Sequence, residues 1–395
     1  MNSHDVLLKR AEKHIFSTGM NDATSHLAKV NMKYGLAKMH IVQRKFGIRP
    51  DATFISSPDE TISRNVTRWE QGISYGGKIT WGNGKDKLMI LDVKPNACGM
   101  LIGGLNEIPS PARLLERVYE LNSKEHYIDN VNVEWDFYKG NHFIDVFEVE
   151  NPAGKIPKYA VIMHAGCPEF KEDGDGRFGL YWNDSRILQG MMDTVKTPFG
   201  NCYILTDNNA AAYLRMYQRA ERFADRRREI AFKELFDGKI ICNLCHQGLT
   251  NMNEIRLGCH DIKDTKMIFP ISIRADIPSF IARGRKNFTA AQIESLGFAK
   301  RAHELGVYER LRNANIAPHG GGYYFPDSLK VNKVFEVKGK RYFEIEMQDG
   351  IGMKIVPDVN QLQFTYRGRE VVEKTVDIGL CELITQLNPV YVLKV

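Results

Sequence analysis

The stretch Ala317-Pro318-His319-Gly320-Gly321-Gly322-Tyr323 places one histidine beside three consecutive glycines. Such a run favours neither a helix nor a strand, because glycine allows the backbone positive φ angles and a close approach to a ligand. Successive N–H groups in a turn of this kind can bind an anion, and a neighbouring imidazole can attack a phosphate or act as a base toward it. The same residues also fit a tight turn with an incidental histidine.

The composition is that of a large globular protein. Of the 395 residues, 43% are hydrophobic and 26% are charged, which is ample material for a core. This length permits one domain or two, and we favour a single domain over residues 1–395. The formal net charge of +6 is mildly basic and is compatible with a nucleic-acid or nucleotide partner.

Neither a membrane span nor a secretory signal is indicated. The sequence has no run of roughly 18 apolar residues, and residues 1–5 lack a basic region followed by an apolar core. The seven scattered cysteines argue against a disulfide framework, and they favour a reducing cytoplasm in which thiols stay available to metals. We therefore predict a cytoplasmic protein that is not bound to a membrane, and we leave its oligomeric state open.

Hydrophobic periodicity predicts an α+β fold, with mixed β-sheets and flanking helices in a single large domain. The N-terminal region, residues 1–70, is predicted to be helical. The predicted helices cover residues 1–50 (one or two helices), 110–121, 207–236 and 289–312. The predicted strands lie in residues 72–105, 143–149, 158–164 and a strand-rich insert at 331–372. An amphipathic segment is predicted for residues 376–387.

Two candidate metal ligands follow a short apolar strand at residues 88–91. Asp92 ends this strand, and the loop behind it carries Cys98. Carboxylate and thiolate groups at a strand end are plausible ligands of a transition metal. A single cysteine is also explained as a small buried residue.

Three histidines lie at the ends of other predicted elements. His142 begins a strand, His164 ends the next one, and His246 lies beside a Cys-x-x-Cys pair. Each of them alone is also explained as a structural histidine. Together with Cys98 and Asp92 they could hold one or two transition-metal ions, and ligand softness alone favours zinc.

The Cys-x-x-Cys pair, Cys242 and Cys245, invites a different interpretation. Cys259 and His260 follow downstream, as in a zinc ribbon. These two residues are adjacent in sequence, however, so both could not easily reach one tetrahedral ion. We therefore favour His246 as a ligand of a site shared with the other histidines.

An arginine stripe on the predicted helix 207–236 has two interpretations. Its members are spaced at four, three and four residues: Arg215, Arg219, Arg222 and Arg226. A basic stripe can bind phosphates. It can equally be a solvated face with acidic partners one turn away.

The order of these motifs resembles that of the RtcB family of RNA ligases, the tRNA-splicing ligases. The resemblance covers about residues 88–395 and rests on six blocks in the same order. They are Cys98-Gly99, Gly140-Asn141-His142-Phe143-Ile144, His164 with Gly166, the single His246, the turn at His319, and the terminal Pro389 with Lys394.

The resemblance implies an RtcB-like domain that joins RNA ends with a 3′-phosphate or 2′,3′-cyclic phosphate to 5′-hydroxyl ends, as in tRNA splicing and RNA repair. It implies GTP and two Mn²⁺ ions as cofactors, with His319 as the nucleophile that takes GMP. It implies a metal-binding set of Cys98, His142, His164 and His246, to which we add Asp92. It implies a nucleotide-binding set of Asn141, Asp145, His319, Gly320, Gly322 and Lys394.

The sequence departs from the family pattern at several places. The family's metal aspartate falls at Pro95, so Asp92 or Asn96 is the candidate replacement. The family's arginine after the strand-end histidine is absent, and Tyr323 replaces the arginine after the glycine turn. Loss of two bidentate phosphate contacts makes nucleotide activation better supported than RNA joining. A metal-, nucleotide- or RNA-binding homologue without ligase activity, and a nucleotidyltransferase with another acceptor, are the two alternatives. The insert at 331–372 has no counterpart in the resemblance.

Overall fold

The computed structural model describes residues 3–394 except 138, 153, 155, 175 and 351. Its helices are α1 Ser3–Lys13, α2 Ala23–Lys45, α3 Val66–Glu70, α4 Pro111–Ser123, α5 Arg186–Met191, α6 Asp207–Leu235, α7 Ala290–Ser295, α8 Ala299–Leu305, α9 Tyr308–Arg312 and α10 Glu370–Asp377. None of the described helices combines the length and the apolarity that crossing a membrane requires.

The strands outnumber the helices. They are β1 Ile15–Phe16, β2 Thr53–Thr61, β3 Tyr75–Thr80, β4 Leu88–Ile90, β5 Cys98–Leu105, β6 Tyr127–Ile128, β7 Val131–Asn132, β8 Phe143–Val149, β9 Tyr159–Ala165, β10 Asp193–Thr197, β11 Gly200–Thr206, β12 Gly238–Asn251, β13 Glu254–Leu257, β14 Cys259–Asp261, β15 Ile268–Ile271, β16 Ser279–Gly284, β17 Ile316–Pro318, β18 Tyr323–Tyr324, β19 Ser328–Val337, β20 Lys340–Met347, β21 Met353–Val356, β22 Thr365–Tyr366 and β23 Cys381–Leu393.

Eleven of these strands form one sheet. Their order is β1-β2-β3-β13-β12-β5-β9-β8-β23-β16-β15. The pair β1–β2 is parallel and the other neighbours are antiparallel, so the sheet is mixed. The large mixed sheet and the helices outside it confirm the predicted α+β fold.

Helix α6 packs along the centre of the sheet. Its apolar face buries Tyr213, Tyr217 and Phe232. A Cβ atom on Gly248 of β12 would lie 1.4 Å from the Tyr217 hydroxyl, so only glycine permits this approach. The close packing fixes the helix relative to the central strands, which carry the candidate site.

Local sequence signals place several helices correctly. Ser110 caps α4 by accepting a hydrogen bond from the Arg113 N–H, with Pro111 as the first helical residue. Thr289 and Gln292 form the predicted capping box at α7. The predicted helix at 289–312 is three short helices, and Gly306, with a φ of +64°, ends the second of them.

Two predicted segments are corrected. Residues 1–70 are not wholly helical, because β2 enters the main sheet between α2 and α3. This strand is buried although most of its residues are polar, so it shows no hydrophobic alternation. The segment at 376–387 divides between the end of α10 and β23, where Gly379 has a φ of +72°.

The strand-rich insert contains a separate three-stranded sheet, β19-β20-β21. Its inner face packs against α2 and α3 through a cluster that includes Phe343, Ile345 and Trp69. The strand β22 then pairs with β18, and β18 is the strand that directly follows the glycine turn. The insert therefore reaches from the N-terminal helices to the candidate site.

Candidate active site

The central strands bring three predicted ligands to one end of the main sheet. Cys98 begins β5, His164 lies near the end of β9, and His142 immediately precedes β8. These strands are neighbours, and β9 places His164 opposite both Met100 of β5 and Phe143 of β8. Sequence positions tens of residues apart therefore meet because the strands are adjacent and antiparallel.

Cys98, His142 and His164 form a group that we call the ligand triad. The Cys98 Sγ atom lies 3.4 Å from His142 Nε2 and 3.0 Å from His164 Nε2. The potential ligand atoms all lie within 4.8 Å of one another, and the three residues are buried. Among the described residues, this is the only such group of three or more donors.

Hydrogen bonds fix the orientation of both triad imidazoles. His164 Nδ1 donates to the backbone carbonyl of Asn141 at 2.9 Å. His142 Nδ1 lies 2.9 Å from a carboxylate oxygen of Asp136 and 3.1 Å from its carbonyl oxygen. A proton on each Nδ1 leaves Nε2 as the atom that can bind a metal. Outer hydrogen bonds of this kind are a regular feature of histidine metal ligands.

A network of buried ion pairs holds Asp136, the hydrogen-bond partner of His142. Asp136 pairs with Arg227 of α6 at 2.7 Å, and Arg227 also pairs with Glu169 at 3.1 Å. All three side chains are at most 2% exposed. Although burial raises the pKa of Asp136, the hydrogen bond from His142 and the charge of Arg227 hold it well below its usual range. Asp136 is therefore an anionic partner for His142.

The electrostatics of the triad favour a thiolate. Burial raises the pKa of Cys98, but the imidazoles of His164 and His142 lower it well below its ordinary value. Burial likewise lowers the pKa of His142, but Cys98 and the hydrogen bond to Asp136 raise it to about 10. The thiolate is the form in which cysteine binds a metal.

His246 extends the triad toward the glycine turn. Its ring centroid lies 5.0 Å from that of His164 and 4.5 Å from that of His319. Its Nδ1 atom is buried and has no hydrogen-bond partner among the described residues. Burial, with His319 beside it, lowers the pKa of His246 well below its usual value. A neutral imidazole with an unsatisfied nitrogen fits a metal ligand.

His319 is held by an aspartate that sequence reasoning missed. Pairing of β17 with β14 places Pro318 opposite Cys259, and His319 follows immediately. His319 Nδ1 donates to a carboxylate oxygen of Asp59 at 2.8 Å, and its backbone N–H donates to the same oxygen at 3.1 Å. This bond leaves Nε2 as the ring nitrogen with a free lone pair. Asp59 lies in a polar strand that carries no recognisable motif.

The glycine turn, which follows His319, borders a cavity of about 490 Å³. A Cβ atom on Gly320 would lie 2.5 Å from the Ser272 carbonyl oxygen, and Gly322, with a φ of +69°, packs against the carbonyl of Asp59. The turn therefore needs glycine for both space and conformation. The cavity also receives residues that the resemblance assigns to the nucleotide, namely Asn141, Asp145, His319, Gly320, Gly322 and Lys394.

Asp145 and Lys394 lie on the cavity wall provided by β8 and β23. The pairing of these strands places Asp145 opposite Val392. Asp145 is 5% exposed, and its Oδ1 atom has no partner among the described residues. Burial raises the pKa of Asp145 to about 8, although Lys394 opposes the shift. Lys394 Nζ donates to the Gly140 carbonyl at 3.0 Å, so the C-terminal strand does reach this site.

Asp92 is a correction to the predicted ligand set. One of its carboxylate oxygens pairs with Lys38 at 2.7 Å, and the other accepts the Tyr203 N–H at 3.1 Å. Both charged side chains are 1% exposed, so each compensates the buried charge of the other. Asn96, the other candidate, accepts the Cys98 N–H at 2.9 Å and thereby shapes the ligand loop.

The arginine stripe of α6 has a local partner. Arg226 pairs with Asp129 at 2.8 Å, and Arg219 donates to the Asp129 carbonyl at 3.3 Å. Arg215 and Arg222 are exposed. Half of the stripe is thus bound to Asp129 on a neighbouring loop, rather than to acidic partners one turn away on the helix.

Comparison with known proteins gives no family. No protein-family model matches the chain, and no curated protein matches it either. The site itself must therefore carry any functional conclusion.

Proposed function

We propose that this protein is a metal-dependent RNA ligase that joins RNA 3′-phosphate or 2′,3′-cyclic phosphate ends to 5′-hydroxyl ends through a His319–GMP intermediate. One observation carries the proposal. An imidazole oriented by a buried carboxylate lines a nucleotide-sized cavity, and a second imidazole with an unsatisfied nitrogen lies 4.5 Å away, next to the ligand triad.

His319 supplies the nucleophile. Its Nε2 lone pair forms a bond to the α-phosphorus of GTP, and the bond from that phosphorus to the bridging oxygen breaks, which releases pyrophosphate. The Nδ1 proton stays on the ring, where Asp59 at 2.8 Å stabilises the positive charge that develops. The product is a phosphoramidate of GMP on Nε2.

The donor set fits the metal ions that this reaction needs. Cys98, His142, His164 and His246 would hold them, since thiolate and imidazole are ligands of divalent transition metals. The resemblance favours two Mn²⁺ ions, although ligand softness alone favours zinc. Such ions would neutralise phosphate charge and stabilise the oxygen of the leaving pyrophosphate.

The remaining cavity residues suit a guanine nucleotide. Asp145 offers an unsatisfied carboxyl oxygen, and guanine presents adjacent N1–H and N2–H donors. Lys394 provides a cation on the same wall. The glycine turn offers backbone rather than side chains to the phosphates.

GMP transfer would activate the RNA end. An oxygen of the RNA 3′-phosphate attacks the phosphorus of the His319 adduct, the nitrogen–phosphorus bond breaks, and the imidazole is regenerated. The 5′-hydroxyl of the second RNA then attacks the activated 3′-phosphate, and GMP leaves. A 2′,3′-cyclic phosphate must first be opened by water to give the 3′-phosphate.

A nucleotidyltransferase with another acceptor is the second candidate. Arg274 and Lys394 are the cationic residues among the described cavity lining, and Arg274 already pairs with Asp276 at 2.6 Å. Such a lining suits one nucleotide better than a nucleotide together with an RNA end. Ligation assays that supply preformed enzyme–GMP with RNA ends and with other phosphate acceptors separate the two candidates.

Covalent labelling tests the proposal. The protein is incubated with GTP labelled at the α-phosphate and with Mn²⁺, and the intact mass is read for one added GMP. We expect the adduct in the wild type and its loss in His319→Ala. His303→Ala is the control, because His303 is exposed on α8 and stacks on Tyr308. A wild type that takes no label with any divalent metal would overturn the proposal.

We also propose the cytoplasm as the compartment. All seven cysteines are free thiols, and Cys98 needs its thiolate to bind a metal. An oxidising compartment would expose the Cys98 thiolate to oxidation.

A further inference from the structure

Two aromatic rings and one guanidinium form a group at the rim of the cavity that we call the aromatic platform. Its residues are Arg64, Tyr323 and Phe364. Tyr323 lines the cavity directly after the glycine turn. The Phe364 ring lies 5.3 Å from that of Tyr323 at an angle of 89°, and it is 37% exposed. The Arg64 guanidinium lies 3.8 Å from the centre of the Phe364 ring and 5.6 Å from that of Tyr323.

Arg64 has no carboxylate partner among the described residues. Its Nε atom donates to the Asn360 side-chain oxygen at 3.0 Å, and its guanidinium lies against both rings and also bonds the Tyr323 hydroxyl. A cation over aromatic rings is attracted by their electron-rich faces and keeps its charge available to an anion. An exposed phenylalanine ring and a half-buried tyrosine ring beside an arginine without a carboxylate partner match the composition of surfaces that bind single-stranded nucleic acid.

The insert holds this platform in a fixed position. Trp69 Nε1 donates to the Pro357 carbonyl at 2.9 Å, and its ring packs 4.7 Å from that of Phe343. Arg341 donates to the Glu70 carbonyl at 3.0 Å. Beyond these anchors, the register of β18 and β22 places Tyr323 opposite Tyr366, two residues after Phe364. The segment without a counterpart in the resembling family thus ends at the rim of the cavity.

We infer that the aromatic platform stacks an unpaired nucleobase of the RNA substrate, close to the end that reacts. The inference rests on the proposed function and deepens it, since it specifies single-stranded RNA ends as the substrate class. Stacking uses the π-face that every base has, so recognition is tolerant of sequence. A base inside a duplex cannot reach the rings without unpairing, so the platform selects frayed or single-stranded ends.

RNA binding measured by fluorescence anisotropy tests the platform. The probe is a short fluorescent single-stranded RNA with a 3′-phosphate, titrated at one fixed salt concentration without GTP or added metal. We expect Phe364→Ala to raise Kd by about tenfold, the loss of one stacked base. We expect Phe364→Trp to bind as the wild type does. Phe335→Ala is the matched control, because Phe335 stacks on Tyr342 within the insert and does not line the cavity.

A blunt RNA duplex with the same label completes the test. The loss in Phe364→Ala should appear with the single strand and not with the duplex, because only the single strand offers an unpaired base. Equal Kd values for Phe364→Ala and the wild type with single-stranded RNA would overturn the inference, as would an equal loss with the duplex. GMP labelling of the same variant is read separately, so failure of the platform and failure of the proposed function give different results.

Discussion

The ligand triad and the histidine pair, His246 and His319, lie side by side but differ in how they are held. In the triad, the outer nitrogens of His142 and His164 are bonded to Asp136 and to a backbone carbonyl. In the pair, Asp59 bonds the Nδ1 atom of His319, whereas the Nδ1 atom of His246 is buried without a partner among the described residues.

The difference teaches that one half of the site is built before any ligand arrives and the other half needs ligands to complete it. Hydrogen bonds orient the triad imidazoles toward Cys98, so the metal need not reorganise them. An unsatisfied buried nitrogen is unfavourable until a partner arrives. We therefore expect triad substitutions to change metal content, and substitutions on the His319 side to change GMP transfer at constant metal content.

The largest effect is expected from Asp59→Asn. The carboxylate orients His319 and, in the proposed reaction, would stabilise its positive charge during attack, whereas an amide cannot supply that charge. We expect the rate of GMP transfer to fall by about 10³- to 10⁴-fold, as in other histidines oriented by aspartate. Single-turnover labelling measures this rate, and elemental analysis should find the metal content unchanged.

Glu60→Gln is the matched control for Asp59. Glu60 is the next residue of β2, is equally buried, and bonds to Ser17 rather than to the site. Burial raises its pKa, so a neutral amide is a mild change there. If Glu60→Gln slows labelling as much as Asp59→Asn does, then both act through the fold of β2. The expected separation between metal binding by the triad and GMP transfer at His319 would then be wrong.

Cys98→Ala should prevent the ligand triad from binding a metal ion. The substitution removes the sulfur that lies between the two triad imidazoles. We expect metal affinity to fall by more than about 100-fold, beyond the loss typical of an outer partner. Metal content after dialysis measures it. Cys242→Ala, on β12 of the same sheet, should keep its metal, and a Cys98→Ala protein that retains metal would contradict the triad as the binding site.

Asp136→Asn should weaken metal binding less, by about 10- to 100-fold, because it loosens His142 without removing a ligand. It also breaks a buried pair with Arg227, so stability falls as well. Glu169→Gln separates the two effects, because Glu169 bonds Arg227 and does not touch His142. Both variants should melt earlier, and only Asp136→Asn should lose metal affinity.

Much of this site could be predicted from the sequence, for a physical reason. Cys98, His142 and His164 lie at strand ends, where a short apolar run changes to a polar or glycine-rich loop. That change is local, so sequence reveals it. The helix caps at Ser110 and Thr289 were predictable for the same reason, since a cap is a contact within one turn.

Contacts between distant segments could not be predicted in the same way. Asp59 bonds His319 across 260 positions, and its strand has no alternation to announce it. Asp92 was assigned to the metal because of its place after a strand, but its partner, Lys38, lies on α2. A buried acid serves whichever cation the fold brings to it, and only the tertiary structure decides which.

The smallest effect concerns Asp145, which like His246 has a buried polar atom without a partner among the described residues. Its pKa is about 8 in the folded protein, against an ordinary value of 3.8. Between these values the folded state keeps a proton that the unfolded state has released, so its contribution to stability is present at low pH and is lost as the pH rises through about 8. Asp145→Asn removes this dependence.

Thermal unfolding at about pH 5 and about pH 8 should therefore show the wild type losing stability relative to Asp145→Asn as the pH rises. We expect a change on the order of 1 kcal/mol, because solvent in the cavity screens the charge. Asp276→Asn is the control. The hydrogen bond from Arg274 lowers the pKa of Asp276, so its own dependence lies at more acidic pH. A pH-independent difference between wild type and Asp145→Asn would mean that Asp145 is already ionised and satisfied, and the contrast between the preformed and the incomplete half would then rest on His246 alone.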